Sequence, residues 1–528
     1  MRKLFVSAAI ICVAGCQPEQ APAPVATAPQ AEGFSTLVAE PKTLTELAAE
    51  ITAKSVTAEA ATQAYLDRIA AVDDAGPLLN AVLAINPAAL SDAKALDAAG
   101  TVKGPLHGVP ILLKDNIDTL DMPTTAGSMA LKANATGRDS PLVARLRAAG
   151  AIILGKTNLS EWANFRSGSS TSGWSGVGGQ TKNPHVLDRN PCGSSSGSGS
   201  AVAAGLAAAA VGTETDGSII CPSSVNGIVG IKPTVGLIPR THIVPISSTQ
   251  DTAGPMALTV ADAALLLTVM AGSGASDPAS AEADARKEDY SKALDANALQ
   301  GKRIGVARYL AGYHKGTDAV FEKALADLKA AGAELVELKE PAGKAEMNAA
   351  EFTVLLAEFK AGVNDYLAST PEAVKSRTLD DLIKFNLADP TEMEFFDQSV
   401  FEQAAKAPAL TDRAYLDAKA TAARLAGKEG IDKLVAENNV VAIVAPSGGP
   451  AWMTDLVTGD HFLGASYSMA AVAGYPSITV PMGNVRDLPL GLCFFGPKWS
   501  EATLIGLAYA YEQKTKALTT PKFLPHSP

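Results

Sequence analysis

The sequence predicts an α/β fold, and three observations predict it. The order strand, helix, strand occurs at 109–154 and again at 301–340. Crossover helices between strands of one sheet imply parallel pairing. The 528 residues are 47% hydrophobic and 19% charged, which is ordinary for a globular chain and enough for one large core or two to three smaller ones.

The elements follow in order. Residues 43–73 read as two helices, with Thr57 placed to cap the second. Val109 to Leu113 is an apolar run after Gly108 and fits a buried strand. A helix follows: Ser140 can cap it, Pro141 suits its first turn, Leu142, Val143 and Leu146 share one face, and Gly150 ends it. Ala151 to Leu154 reads as a strand. From Gly168 to Gly199 the chain is mostly Gly, Ser, Thr and Asn, too long and polar for a plain connection, so a functional loop is expected. The Ala-rich run from about Ala201 to Ala210 predicts a helix. A second Gly/Ser stretch spans Gly212 to Ser218, and Ile228 to Ile231 predicts a strand. Further on, Arg303 to Ala307 and Glu334 to Leu338 read as strands around a helix, and 345–437 as helical. Val440 to Val444 and Ser477 to Val480 are strand candidates, and Glu501 to Thr515 is a closing helix. There are no internal repeats.

The charge balance excludes one class of partner. Forty-four Lys and Arg stand against 55 Asp and Glu, a net charge of −11 without a basic cluster, which argues against nucleic acid. The N-terminus reads as an export signal. Arg2 and Lys3 precede an apolar core, Leu4 to Val13, that is too short to span a bilayer. It ends in Val13-Ala14-Gly15-Cys16, which resembles a lipoprotein leader and predicts lipidation of Cys16 after removal of residues 1–15. Residues 17–35, with Pro18, Pro22, Pro24 and Pro29, predict an extended tether ahead of a domain at 36–520. Gln17 stands where an aspartate would signal inner-membrane retention, so the leader implies the outer membrane facing the periplasm. Cys192, Cys221 and Cys493 have no CxxC or His pairing and predict no zinc site. A Cys192–Cys221 bridge is conceivable in an oxidising compartment, but three buried thiols are the expectation.

Two motifs mislead. Residues 150–157, GAIILGKT, match the phosphate-loop pattern, yet Ala-Ile-Ile-Leu is a strand and not a cradle of exposed amides. Residues 193–197, GSSSG, match the nucleophile elbow, yet no apolar strand precedes them. None of His242, His314, His461 or His526 stands in a context that suggests the partner base of a Ser-His-Asp enzyme.

Three segments carry chemistry together. Lys114 ends the apolar strand; it is either a residue that reaches back to water or a buried base whose ammonium form burial disfavours. Cys192 to Ser200 is a Gly/Ser run that opens a helix. Gly212 to Pro222 places Ser218 after a glycine on a tight turn, where backbone N–H groups could converge on an anion.

In this order the segments resemble the amidase signature family over about residues 40–515. The matching stretches include GPLHGVPILLKDNID at 104–118, GTETDGSIICP at 212–222, GIVGIKPTVGLIPR at 227–240 and AGYPSITVPMG at 473–483. The SEWANF run and the TETDGS form look most like bacterial peptide amidases. The resemblance implies a single three-layer α/β/α domain around a large mixed sheet. It implies a Ser-cisSer-Lys triad: nucleophile Ser218, bridging Ser194 in a cis peptide 24 residues upstream, and base Lys114. The oxyanion donors fall on the backbone amides of Thr215, Asp216, Gly217 and Ser218. No cofactor and no metal is implied. Many members have Gly-Gly-Ser at the nucleophile where this chain has Asp216-Gly217-Ser218, a departure that bears on the substrate. The expected activity is hydrolysis of carboxylic amides, C-terminal peptide amides first and small aliphatic or aryl amides second. The alternatives are an amidotransferase A-type subunit, which the export signal opposes, and a non-catalytic envelope binding protein on the same fold.

Overall fold

The computed structural model describes residues 42–527; the leader, Cys16 and the tether lie outside them. Eleven strands form one mixed sheet. In chain order they are β1 Val82–Ile85, β2 Pro110–Lys114, β3 Ile152–Thr157, β4 Ala209–Glu214, β5 Val229–Lys232 and β6 Thr252–Ala257, then β7 Arg303–Val306, β8 Glu334–Glu337, β9 Ala442–Pro446, β10 Ser477–Val485 and β11 Leu488–Phe495. They lie in the order 1-3-2-4-6-5-10-11-9-7-8. β3, β2 and β4 are mutually parallel, as the strand–helix–strand order predicts. β7, β8 and β9 form a second parallel group, and the strands between are antiparallel.

Alternation along the strands divides the core between two faces. Ile111 and Leu113 of β2 point into one cluster, with Leu142, Val143 and Leu146 of the helix Pro141–Ala148 and Leu44, Leu47 and Ile51 of the first helix. Leu112 points the other way, toward Ile69, Val72 and Ala203. Helices cover both faces, which is the expected three-layer arrangement.

Local expectations hold where side-chain chemistry acts alone. Thr57 caps its helix by accepting the Ala60 N–H, and the last long helix is Glu501–Thr515. Ser140 precedes its helix but does not cap it; its hydroxyl donates to the Thr241 carbonyl at 3.0 Å. The larger correction is the Ala-rich helix. It runs Ser196–Ala203, starting inside the Gly/Ser segment, and Ala209 and Ala210 belong to β4. Its serines are satisfied in the interior, Ser198 against Thr157 at 2.7 Å and Ser200 on the Lys182 carbonyl at 2.9 Å. Gly197 lets this helix approach a neighbouring backbone; a Cβ there would sit 2.2 Å from the Ala81 carbonyl. Burial between flanking strands overrides alanine's helical preference at 209–210.

Candidate active site

The site lies at the C-terminal ends of the parallel strands β2 and β4, where open α/β sheets hold their ligands. Lys114 is the last residue of β2 and is fully buried. Of its two sequence readings, burial rather than reach back to water is the one observed. Its Nζ donates to Ser194 Oγ at 2.7 Å, Thr213 Oγ1 at 2.9 Å and the Thr213 carbonyl at 3.2 Å. Burial lowers its pKa to about 7, with Asp251 and Glu214 opposing the shift. The other buried lysine on an adjacent strand, Lys156, belongs to the phosphate-loop lookalike. It is spent on structure, pairing with Asp115 at 3.2 Å and the Ile117 carbonyl at 2.7 Å.

Ser194 is buried, and the Gly193–Ser194 peptide is cis. The next residue ties this loop to the nucleophile turn: Ser195 N–H donates to the Ser218 carbonyl at 3.1 Å, and Ser195 Oγ to the Thr213 carbonyl at 3.0 Å. Lys114, Ser194 and Ser218 are therefore gathered by β2, the Ser-rich loop and the turn after β4. Thr215, Asp216, Gly217 and Ser218 form that turn, between β4 and the helix Ile220–Val225. Gly217 has φ +84°, and a Cβ there would meet the Tyr467 ring at 2.1 Å. This position requires glycine.

Carboxylates beneath the turn hold it. Glu214 accepts the N–H groups of Ile219 at 2.7 Å and Ile220 at 2.9 Å, and its carboxyl also meets the Gly217 amide. Burial raises its pKa, with Lys232 opposing. Asp251 accepts Thr215 Oγ1 at 2.6 Å and the N–H groups of Ile246 and Ser247, and burial raises it to about 6. Asp216 abuts Glu351; burial and the neighbouring Glu351 and Glu214 push Asp216 well above the usual carboxylate range. Sequence reasoning missed Thr213, Asn116 and Asp251. Asn116 donates to Thr213 Oγ1 at 2.9 Å and so orients the acceptor of Lys114. Thr213 and Asn116 lie inside the quoted motifs and were legible there. Asp251 comes just before β6 and had no local signal.

The cysteines correct an expectation. Cys192 and Cys221 are bonded, with Cα atoms 6.0 Å apart, and Cys493 alone is a buried free thiol among the described residues. The two cysteines are distant in sequence, but the fold brings the Ser-rich loop against the helix after Ser218. The bridge thus clamps the two serine-bearing segments together.

A cavity of about 260 Å³ opens over Ser218, bounded by Gly193, Thr215 and Asp216 and walled by Phe165, Trp452 and Tyr467. A larger one, about 490 Å³, reaches Thr213 and Asn116 from behind but touches neither Ser194 nor Ser218. The smaller cavity is therefore the one that can hold a reacting group.

Comparison with known proteins agrees with this geometry. The family described as Amidase matches residues 60–505. A probable amidase of Arabidopsis thaliana is 38% identical over 518 residues, 95% of each chain. The native peptide amidase of Stenotrophomonas maltophilia superposes with a TM-score of 0.87 at 50% identity, covering 92% of this chain and 99% of the other. The A-type subunit of the glutamyl-tRNA(Gln) amidotransferase of Oleidesulfovibrio alaskensis is 34% identical over 499 residues, 90% of this chain and 97% of that one. The chain belongs to the amidase family. It is an amide-hydrolysing enzyme with the amidase signature fold.

Proposed function

We propose that the protein hydrolyses carboxylic amides through Ser218, cis-Ser194 and Lys114, with C-terminal peptide amides as the first substrate class. The observation that carries the reading is the 2.7 Å contact between a buried, pKa-lowered Lys114 and Ser194. A serine hydroxyl is a poor nucleophile near pH 7 and needs a base within hydrogen-bond reach. Neutral Lys114 takes the proton of Ser194, which takes that of Ser218. Ser218 Oγ bonds to the amide carbon, and the carbonyl oxygen becomes an oxyanion facing the amides of 215–218. Losing one such donor typically costs about a hundred-fold or more in rate. The relay returns a proton to the nitrogen, the C–N bond breaks and ammonia leaves. Water then attacks the ester and releases the acid and Ser218.

The peptide-amide preference is supported by the 50% identity to a peptide amidase, against 34% to the amidotransferase chain. Small aliphatic or aryl amides are the second class. The test is ammonia release by the purified enzyme from both classes, beside Ser218→Ala. Peptide-amide turnover that vanishes in the variant is the expected result. Unchanged turnover in Ser218→Ala would sink the assignment. The reading also places the enzyme on the outer membrane, facing the periplasm, through a lipid on Cys16. The basic, apolar and Val13-Ala14-Gly15-Cys16 segments support this, and a disulfide suits an oxidising compartment. Cys16→Ser should move the protein from the membrane fraction to the soluble one.

A further inference from the structure

The cavity over Ser218 has a lopsided charge. Asp216 and Asp460 reach its wall, and no Lys, Arg or His does among the described residues. The outer wall is apolar, formed by Phe165, Ile246, Leu355, Trp452 and Phe462. Phe462 is 45% exposed beside Leu463 at 50%, so the apolar surface continues outward from the cavity.

Both carboxyls are fixed. Asp460 accepts the Ser172 N–H at 3.0 Å, Trp452 Nε1 at 3.1 Å and Asn190 Nδ2 at 3.2 Å. Asp216 lies against Glu351. Gln250 Nε2 ties Glu351 at 2.9 Å to the Thr215 carbonyl at 3.3 Å, so the pair is anchored to the nucleophile turn. Two carboxyls in contact oppose each other's ionisation, and burial raises the pKa of both. Asp216 is the carboxyl of the pair that lines the cavity with Ser218, and its Oδ1 is buried without a hydrogen-bond partner. An anionic substrate group in the cavity would face Asp216 and Asp460 with no cation among the described lining residues to offset them.

We propose that Asp216, backed by Glu351, is a specificity residue: the cavity takes amides whose terminal residue is apolar, aromatic or otherwise uncharged and rejects anionic ones. This rests on the peptide-amidase reading above. The carboxylate product is repelled by the same charge, which aids its release.

The test is kcat/KM for ammonia release at pH 8 from three N-acetyl dipeptide amides ending in phenylalaninamide, glutaminamide and glutamic α-amide. Gln and Glu side chains are near-isosteric, so their ratio isolates charge. We expect Gln over Glu on the order of ten-fold, with Phe above both. In the Asp216→Asn/Glu351→Gln double variant, the Gln:Glu ratio should fall to about two-fold or less. Equal Gln and Glu rates in the unaltered enzyme would overturn the inference while leaving the peptide-amidase reading intact. An undiminished ratio in the double variant would remove the assignment to Asp216. Silence on all three amides would overturn the peptide-amidase reading and this inference with it. The unaltered enzyme alone decides the charge rule if the double variant fails to fold.

Discussion

Replacing Lys114 by methionine should destroy activity and yet stabilise the protein. Methionine has nearly the volume of lysine and no charge to bury. The folded enzyme holds the lysine at a pKa of about 7, against 10.5 in an unfolded chain. Between those pH values the unfolded chain carries a proton that the folded chain has released, so stability rises with pH across that window. The cost of Lys114 is about 4 kcal/mol at pH 7 and about 2 kcal/mol at pH 9 by this linkage. Methionine forfeits three hydrogen bonds, roughly 1 kcal/mol each at most. Two of the three acceptors keep other donors: Asn116 serves Thr213 Oγ1 at 2.9 Å and Ser195 serves the Thr213 carbonyl at 3.0 Å, while Ser194 Oγ loses its partner. Lys114→Met should therefore be more stable by about 1–2 kcal/mol at pH 7 and less stable by up to about 1 kcal/mol at pH 9. The fall of about 2 kcal/mol between the two is the firmer figure, because the hydrogen-bond loss cancels from it. Urea denaturation at both pH values, followed by tryptophan fluorescence, measures it. A variant that is several kcal/mol weaker at pH 7, with a pH-independent difference, would show that the folded lysine is charged and would refute the neutral-base argument.

The other predictions are briefer. Because the base form is the neutral amine, kcat/KM should climb about ten-fold per pH unit below the Lys114 pKa of about 7 and level off above it. A flat pH profile through that region contradicts the assignment. Gly217→Ala forces a Cβ to within 2.1 Å of the Tyr467 ring at a φ of +84°. It should lower kcat by roughly a hundred-fold or more as the donors of the turn move; near-normal kcat would mean that the turn has slack. Removing the Cys192–Cys221 bridge, whose ends are 29 residues apart, should cost about 3–4 kcal/mol of stability. Comparing the urea midpoint of Cys192→Ser/Cys221→Ser with that of the oxidised enzyme checks this, and matching midpoints would rule out the clamp.

Much of the site was legible because its chemistry is local. The apolar run ending in Lys114 has one reading as a buried strand, and Gly217-Ser218 announces a turn that only glycine can make. Elements with strong local logic, such as the helix Glu501–Thr515, were read to the residue. The errors fall where tertiary packing outvotes local preference. Serines and glycines at 196–200 make a helix because the interior supplies their hydroxyl partners and needs their small size. β11 went unread because Pro489 and Gly491 disguise it. That glycine is required by packing, since a Cβ at Gly491 would sit 2.2 Å from Thr479 Oγ1.

By itself, the sequence determined the strand that ends in Lys114, the two serine-bearing segments and the glycine turn before Ser218. Each follows from short-range sterics, periodicity or hydrogen bonding. Only the tertiary structure decided which groups meet. It joined Cys192 to Cys221, put Thr213 on the lysine and Asn116 on Thr213, and brought Asp251 under the turn and Glu351 against Asp216. Those pairings cross 29 to 135 residues of chain, and no local pattern encodes a contact that depends on how the sheet and its loops close around one another. The pKa of Lys114 belongs to the same category: a lysine becomes a base only when burial has removed the water that would keep it charged.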